Sequence, residues 1–206
     1  MKVAVRIEHH PSRSALLPRL LTALEDFDDV QVVPDPDPRG KPDSWRAFRA
    51  CLASMPADAS TLLCVQDDAL PCDDFVARMT AWIQAKPESV LLAFTPGFPR
   101  EARAAMLAQR TGASFFVFQP GSYVPLVCTA FPREVVQGFL AWADAKGGDG
   151  VRRPLRGADD GATAMFFRKR RIRPLSLVPS LCQHDESVES VGKQTRKGAH
   201  RRAAVF

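Results

Sequence analysis

The chain has 206 residues, of which 46% are hydrophobic, a length and composition that can bury one substantial core. No run of eighteen apolar residues indicates a membrane span, and the first apolar segment becomes polar after the length of a strand, unlike a secretory signal. We therefore expect a cytoplasmic protein. Five cysteines without a C-x-x-C spacing argue against a disulfide framework or a zinc site and predict reduced, packed thiols.

The net charge of +5 is unevenly distributed. Residues 168–173 and 193–202 hold much of the excess Lys and Arg, whereas the middle of the chain is acidic or neutral. This pattern favours an anionic partner, either a nucleic acid or the phosphates of a nucleotide. A solvated helix end and a frayed tail would produce the same pattern.

The first half of the chain alternates strands and helices. We predict strands over residues 3–7 and 30–33 and, between them, a helix over 16–27 with leucines on one stripe. A loop rich in Pro and Asp follows, because each residue before a proline is kept out of the helical region. Asp43 or Ser44 is placed to cap the next helix.

The third predicted strand runs an apolar segment, 62–65, directly into Gln66, Asp67 and Asp68 before Pro71 ends it. Four consecutive apolar residues suit a strand buried on both faces, and the carboxyl end of such a strand is where an α/β sheet binds its ligand. Two adjacent carboxylates there predict a site for Mg²⁺ or Mn²⁺ against a phosphate, since hard cations prefer carboxylate oxygens. A turn capped by one of the acids is the alternative.

The second half is predicted to be less regular, with a Gly- and Arg-rich loop over 148–157 that is long enough to cover a substrate. Asp73 or Asp74 caps the third helix. Further predicted strands span 90–94, 114–118, 123–131 and 172–181, and further helices span 75–83, 100–109, 132–146 and 159–170.

This order predicts a single α/β domain, 1–192, with a mostly parallel, doubly wound sheet. Residues 1–95 would form its nucleotide-binding half, 96–192 a less regular acceptor half, and 193–206 a basic tail. The G-x-G-x-x-G, G-x-S-x-G and H-E-x-x-H motifs are absent. What remains is the acid pair after the third strand, a second pair at a helix start and one late histidine.

Together these features resemble the glycosyltransferases of the GT-A fold, which transfer sugars from nucleotide diphosphates. The resemblance covers nearly the whole chain. It rests on the strand and polar loop over 3–13, Asp35 after the second strand, residues 65–68 in the place of the D-x-D motif, the pair 159–160 and the closing phrase 178–184. It implies a GT-A-like, Rossmann-like domain that uses a nucleotide-sugar donor, with a UDP-sugar favoured.

The resemblance also implies a metal ion, Mn²⁺ or Mg²⁺, bound by Asp68 and by His184, which is brought in when the C-terminal segment folds over the nucleotide. Asp67 would lie near the ribose or sugar, and Gln66 stands where the family often has its first Asp. For His184, a hydrogen bond within the core or to Asp185 is the alternative.

His9, Arg13 and Asp35 would line the pocket of the uridine or other base, although a place on the loop surface would also suit His9. Asp160 would be the general base of an inverting transfer, since that reaction needs a carboxylate beside the acceptor hydroxyl. Asp159 would be the helix cap and the second candidate for the base. Simple capping by both acids is the alternative.

The acceptor is left open by these residues: DNA carrying hydroxylated bases, a protein or a carbohydrate would each fit, and no membrane partner is expected. Two other classes of function are weighed against a transferase. A non-catalytic nucleic-acid-binding module would need more exposed aromatic residues or a recognisable motif. A metal-dependent phosphohydrolase using Asp67 or Asp68 would need further acids, or a Lys or Ser/Thr, at later strand ends.

Overall fold

The structure, a computed structural model, describes residues 1–39, 43–121, 123–145, 159–185, 187–188 and 202–206. The strands in these ranges are β1 (Val3–His9), β2 (Val30–Pro34), β3 (Thr61–Gln66), β4 (Ala69–Pro71), β5 (Leu91–Leu92), β6 (Phe115–Val117), β7 (Cys128–Pro132), β8 (Leu175–Leu177) and β9 (Cys182–His184). The α-helices are α1 (Leu17–Leu24), α2 (Ser44–Ala53), α3 (Phe75–Ala85), α4 (Pro99–Arg110), α5 (Arg133–Ala145) and α6 (Asp159–Arg170), and a 3-10 helix spans Pro11–Leu16.

Seven strands form one mixed sheet in the order β2-β1-β3-β7-β5-β8-β6, and β4 and β9 form a second, two-stranded sheet. β1 is parallel to β2 and β3, and β5 is parallel to β8. β7 is antiparallel to both β3 and β5, and β6 is antiparallel to β8. Five of the seven strands therefore point the same way, which confirms the predicted mostly parallel α/β sheet.

Two apolar layers cover the sheet, because successive side chains of a strand point to opposite faces. Val5 and Ile7 of β1 belong to the layer formed with α1 and α3. The opposite face packs against α2, α5 and α6 through an aromatic cluster in which the rings of Phe139 and Phe166 stack 4.7 Å apart. Burying a side chain of this size contributes about 2–3 kcal/mol, so this cluster holds α6 against the sheet.

The predicted helices are confirmed, and Asp43 caps α2 by accepting a hydrogen bond from the backbone N–H of Arg46 at 3.3 Å. Asp74 immediately precedes α3, but it has a φ of 57° and its side chain makes no capping hydrogen bond. The prediction that the Asp74 side chain caps this helix was therefore wrong. All five cysteines are free, as expected.

The predicted strands 123–131 and 172–181 were too long. Val124, Leu126 and Val127 are buried, but they precede β7. An apolar run indicates burial, not strand pairing, and Pro125 has no N–H to donate to a neighbouring strand. Of the second run only β8 forms a strand, and β9 begins directly after the run, in the other sheet. The three-residue strand β4 was missed because Pro71 was read as the end of the strand before it.

The predicted loop 148–157, the end of a helix at Gly147 and most of the basic tail lie outside the described residues. The last five residues lie against the core: the Ala204 N–H donates to Thr95 O and the Ser180 N–H donates to Val205 O, both at 2.8 Å. In the ranges given above, no helix has the length and apolar character needed to cross a membrane.

Candidate functional site

The carboxyl ends of β1, β2 and β3 meet at one edge of the sheet, because these three strands are parallel. Two backbone hydrogen bonds extend the pairing past the strands: the Asp67 N–H donates to Glu8 O at 3.0 Å, and the Asp35 N–H donates to His9 O at 2.8 Å. The predicted donor-site residues of the first three strands therefore start from the same edge, which is where open α/β sheets bind ligands.

Asp67 is buried, with a side chain 4% exposed, and several donors surround it. His9 Nδ1 lies 3.1 Å from Asp67 Oδ2, and the backbone N–H of His10 donates to the same oxygen at 2.9 Å. Arg13 Nη1 donates to Asp67 Oδ1 at 2.8 Å. The other ring nitrogen of His9 lies 3.2 Å from Ser14 Oγ, so the imidazole is held at both ends.

Arg13 links the two adjacent acids. Its Nη1 also donates to Asp68 Oδ2 at 2.7 Å, and the side chain of Asp68 is 3% exposed. Burial lowers the pKa of the Arg13 guanidinium, but the charges and hydrogen bonds of Asp68 and Asp67 outweigh it and raise that pKa overall. Arg13 is thus a fixed positive charge that compensates two buried carboxylates.

The small sheet brings His184 to Asp68 across more than a hundred residues of sequence. In the register of β4 and β9, Ala69 pairs with His184, and the Asp185 N–H donates to Asp68 O at 2.8 Å. His184 Nε2 lies 3.5 Å from Asp68 Oδ2. The two residues expected to share a metal ion are therefore neighbours.

Whether these side chains suit a metal ion depends on their number and separation. Two ligand atoms about 2.2 Å from one cation lie roughly 3.1–3.6 Å apart at ordinary coordination angles. The separation of Asp68 Oδ2 and His184 Nε2 fits that range. In the described parts of the chain, no three His, Cys, Asp or Glu side chains are grouped to hold a metal. The pair therefore suits an ion whose remaining ligands are phosphates and water, as Mg²⁺ commonly binds.

Asp35 is brought to the same edge but is already engaged by α2. Arg46 Nε donates to Asp35 Oδ1 and Arg46 Nη2 donates to Asp35 Oδ2, each at 2.8 Å, and the Asp37 N–H donates to Oδ1 at 3.0 Å. Burial raises the pKa of Asp35, but these bonds outweigh it and lower that pKa overall. Asp35 is therefore a rigid, ionised part of the wall, and Arg46 is a neighbour that the sequence did not indicate.

Asp159 and Asp160 begin α6, which starts at this edge of the sheet. The Asp159 N–H donates to Ser44 Oγ at 3.3 Å and so joins the start of α6 to the start of α2. Asp160 Oδ1 accepts from the Gly161 N–H at 2.6 Å. Burial and then the charge of Asp159 raise the pKa of Asp160 to about 6, near the range in which a carboxylate can exchange protons at neutral pH.

Glu8 connects the two acid pairs and was missed by the sequence prediction, which ended the first strand at Ile7. In the register of β1 and β3 it pairs with Gln66, whose backbone N–H donates to Val127 O at 2.9 Å. Burial, then the charges of Asp159, Asp67 and Asp68, raise the pKa of Glu8 well above its usual value. The alternation of polar Arg6 and Glu8 with apolar Val5 and Ile7 was the available signal.

The structure therefore brings most of the predicted residues together in two groups on one edge, and Asp35 and Gln66 belong to neither group. The first group is a connected cluster at the ends of β1, β3 and β9, consisting of His9, Arg13, Asp67, Asp68 and His184. The second group is the pair Asp159 and Asp160 at the start of α6, and Glu8 lies between the groups, within electrostatic reach of both. Such an arrangement can hold a phosphate-bound cation on one side and accept a proton on the other.

No protein-family model matches the sequence, and no curated protein matches it. The solved structures that are similar to the chain in fold include the following two. Protein A197 from STIV has 15% sequence identity and a TM-score of 0.53, with 89% of this chain and 85% of that chain covered. A variant of Drosophila β-1,4-galactosyltransferase 7, solved with manganese, UDP-Gal and xylobiose, has 9% identity and a TM-score of 0.50, with 98% and 82% covered. The chain is thus a mixed α/β protein whose fold is similar, over nearly its whole length, to that of a GT-A galactosyltransferase.

Proposed function

We propose that the chain is a metal-dependent glycosyltransferase that moves a sugar from a nucleotide diphosphate sugar, with a UDP-sugar favoured, to an acceptor hydroxyl. The observation that best supports this proposal is the cluster of Arg13, Asp67, Asp68 and His184 at the carboxyl edge of the sheet. Its position is the usual ligand-binding edge of an α/β sheet. The fold resembles that of a galactosyltransferase solved with manganese and UDP-Gal.

On the donor side, Asp68 and His184 would hold Mn²⁺ or Mg²⁺. When bound, the ion would supply positive charge to the diphosphate that departs from the sugar. Asp67 would face the ribose or sugar, and its hydrogen bonds from His9 and the backbone keep its carboxylate in one orientation. Arg13 adds a positive charge beside the diphosphate, which complements a leaving group of high negative charge.

The base would bind in the pocket formed by His9, Arg13 and Asp35, with Gln66 at its inner end. Asp35 is held by a two-pronged contact with Arg46, so it would act as a fixed hydrogen-bond acceptor for the nucleoside. His9 is fixed between Asp67 and Ser14 and would present its ring to the base.

On the acceptor side, Asp160 would remove the proton of the attacking hydroxyl in an inverting transfer. Its pKa of about 6 leaves it mostly ionised at pH 7, yet makes it a stronger base than an ordinary surface aspartate. Asp159 is the second candidate, and burial raises its pKa as well. The direction of the shift at Asp160 predicts turnover that falls as the pH drops below about 6.

The proposal is tested by binding and turnover in matched variants. We expect UDP with Mn²⁺ at about 100 times its Kd to raise the Tm by roughly 5–10 °C. The shift should disappear in Asp68→Asn and persist in Asp58→Asn, which removes an exposed carboxylate paired with Lys2 outside the site. Asp160→Asn should keep the shift but lose turnover by about 10²-fold or more.

Stabilisation by no nucleoside diphosphate with either metal would contradict the proposed function. Turnover retained by Asp160→Asn would contradict the assigned base while leaving donor binding in place. An equal loss of the UDP shift in Asp58→Asn and Asp68→Asn would contradict the assigned metal ligand.

A further inference from the structure

A polar wall beside the proposed base extends from the end of β1 to the start of α6. Strand alternation places Glu8 on the same face of β1 as Arg6, opposite Val5 and Ile7. The bond from the Asp159 N–H to Ser44 Oγ holds the start of α6 at the start of α2, which packs on β1. Glu8 consequently faces the α6 side of the site, within electrostatic reach of Asp159, and Asp160 follows Asp159 in the sequence.

Asp159 is 6% exposed, yet its Oδ2 has no hydrogen-bond partner in the described residues. A buried carboxylate oxygen without a partner costs about 1–3 kcal/mol, and native structures rarely retain one without a reason. Burial raises the pKa of Asp159 overall, although the Ser44 hydroxyl and the backbone N–H groups of residues 159 and 160 act in the opposite direction. Asp159 Oδ2 is thus available to accept a hydrogen bond from a ligand hydroxyl.

Glu8 offers a second polar group on this side of the site, and it is half-buried. Burial, then the charges of Asp159, Asp67 and Asp68, raise its pKa well above the usual value, so Glu8 lies within electrostatic reach of these acids. Its carboxyl group can hydrogen-bond to a ligand hydroxyl.

We propose that Glu8 and Asp159 form the acceptor subsite, and that the acceptor is an uncharged saccharide, with one hydroxyl hydrogen-bonded to the Glu8 carboxyl group and another donating to Asp159 Oδ2. This inference rests on the proposed function and specifies its acceptor. A saccharide is suited to such a wall because adjacent hydroxyls both donate and accept hydrogen bonds. The attacking hydroxyl of the same sugar would lie against Asp160.

The charges around the subsite disfavour a polyanion. The charges of Asp67, Asp68 and Asp159 act on Glu8, and that of Asp159 acts on Asp160, so phosphates placed there would meet several acids. The exposed basic residues 168–171 lie at the other end of α6. The ten residues from Asp160 to Arg170 correspond to about 15 Å of helix. Exposed charges are largely screened beyond about 8–10 Å at physiological ionic strength, so this basic end cannot offset the acids of the subsite.

The test measures UDP release from UDP-glucose and UDP-galactose with Mn²⁺, in three arms: no acceptor, a panel of uncharged disaccharides, and duplex DNA carrying 5-hydroxymethylcytosine. We expect at least one disaccharide, and not DNA, to stimulate release. Glu8→Ala should raise the KM for that sugar by about 10-fold, the effect of one lost hydrogen bond to a buried group. Glu8→Gln keeps a donor N–H and should stay within about twofold of the unchanged chain.

The exposed Glu134→Ala is the control for removal of a glutamate outside the site, and its KM should not change. If Glu8→Ala does not fold, Asp159→Asn replaces it, since the backbone N–H groups would retain the amide oxygen and turn the NH₂ group toward the sugar. That variant should raise the sugar KM by a similar factor. UDP–Mn²⁺ affinity and release without an acceptor should stay unchanged in Glu134→Ala.

Stimulation by DNA and by no disaccharide would overturn the inference and leave the proposed function standing. An unchanged sugar KM in Glu8→Ala, or an equal loss in Glu8→Gln, would also overturn it. Failure of the unchanged chain to bind UDP with Mn²⁺ would instead refute the proposed function, and the acceptor assignment with it.

Discussion

Arg13 shows how a single side chain compensates the charge of the site. Its Nη1 lies 2.8 Å from Asp67 Oδ1 and 2.7 Å from Asp68 Oδ2, between two carboxylates that are almost fully buried. Removal of a charged partner from buried carboxylates is far more costly than removal of a surface pair. A divalent cation placed near Asp68 would act on the same two charges, so Arg13 and the metal are alternative or joint sources of positive charge.

We therefore predict that Arg13→Gln lowers the free energy of unfolding by about 3 kcal/mol without metal and increases the stabilisation by Mn²⁺ alone. The measurement is denaturant unfolding with and without MnCl₂. Arg19→Gln is the control, since Arg19 also pairs with a carboxylate, Asp185, but its side chain is 51% exposed. The same response to Mn²⁺ in both variants would show that Arg13 does not compete with the cation.

At the scale of elements, the position of His184 depends on short backbone pairings. β9 has only three residues and pairs with the equally short β4. The segment 202–206 adds support, because the Ala203 N–H donates to Gln183 Oε1 at 2.8 Å. The same segment forms an isolated bridge between Ala203 and Pro96. Sheets this small have little stability of their own, so contacts around them decide where His184 lies.

Gln183→Ala should weaken UDP–Mn²⁺ binding by about threefold to tenfold and lower stability by about 1 kcal/mol, because the Ala203 N–H loses its acceptor and β9 loses a neighbour. Titration calorimetry and denaturant unfolding measure the two effects. The exposed Gln31 of the edge strand β2 provides the matched control, Gln31→Ala, which should leave the affinity unchanged. If UDP–Mn²⁺ affinity is the same in both variants, segment 202–206 does not position His184.

At the scale of the whole molecule, charge is separated between the two edges of the sheet. The acids after β1 and β3 and at the start of α6 lie at the carboxyl edge, whereas the exposed basic residues at the end of α6 lie at the other edge, just before β8 begins. α6 spans the sheet between the edges, held by the stacked rings of Phe139 and Phe166. A partner bound through the basic end would therefore not contact the proposed site.

Replacement of Arg168, Lys169 and Arg170 together by Gln should change turnover and UDP–Mn²⁺ affinity by less than about twofold, since about 12–15 Å of helix separates them from Asp160. Any weak binding of DNA should fall in the same variant and should fall steeply with salt in the unchanged chain. Initial rates and DNA titrations at two salt concentrations measure both. A loss of turnover above about fivefold would mean that the basic end takes part in the reaction.

The local predictions that succeeded depend on neighbouring residues alone. Asp43 caps α2 because a short polar side chain before an apolar helix can accept from the first free N–H groups. The buried run before Gln66 became β3, and the acids that follow it lie at the predicted edge. The lengths of the later strands were less predictable, because apolar spacing does not distinguish a paired strand from a buried extended segment such as 123–127.

The sequence by itself determined the α/β class, most helices and the acid pairs at the ends of elements, since propensity, capping and apolar spacing are local properties. Only the tertiary structure decided that His184 lies beside Asp68, that Arg13 joins Asp67 to Asp68, and that Glu8 lies among other acids. These contacts depend on strand register and on the pairing of β4 with β9 across more than a hundred residues. Burial and the charges of distant residues then shift proton affinities that the order of residues along the chain does not reveal.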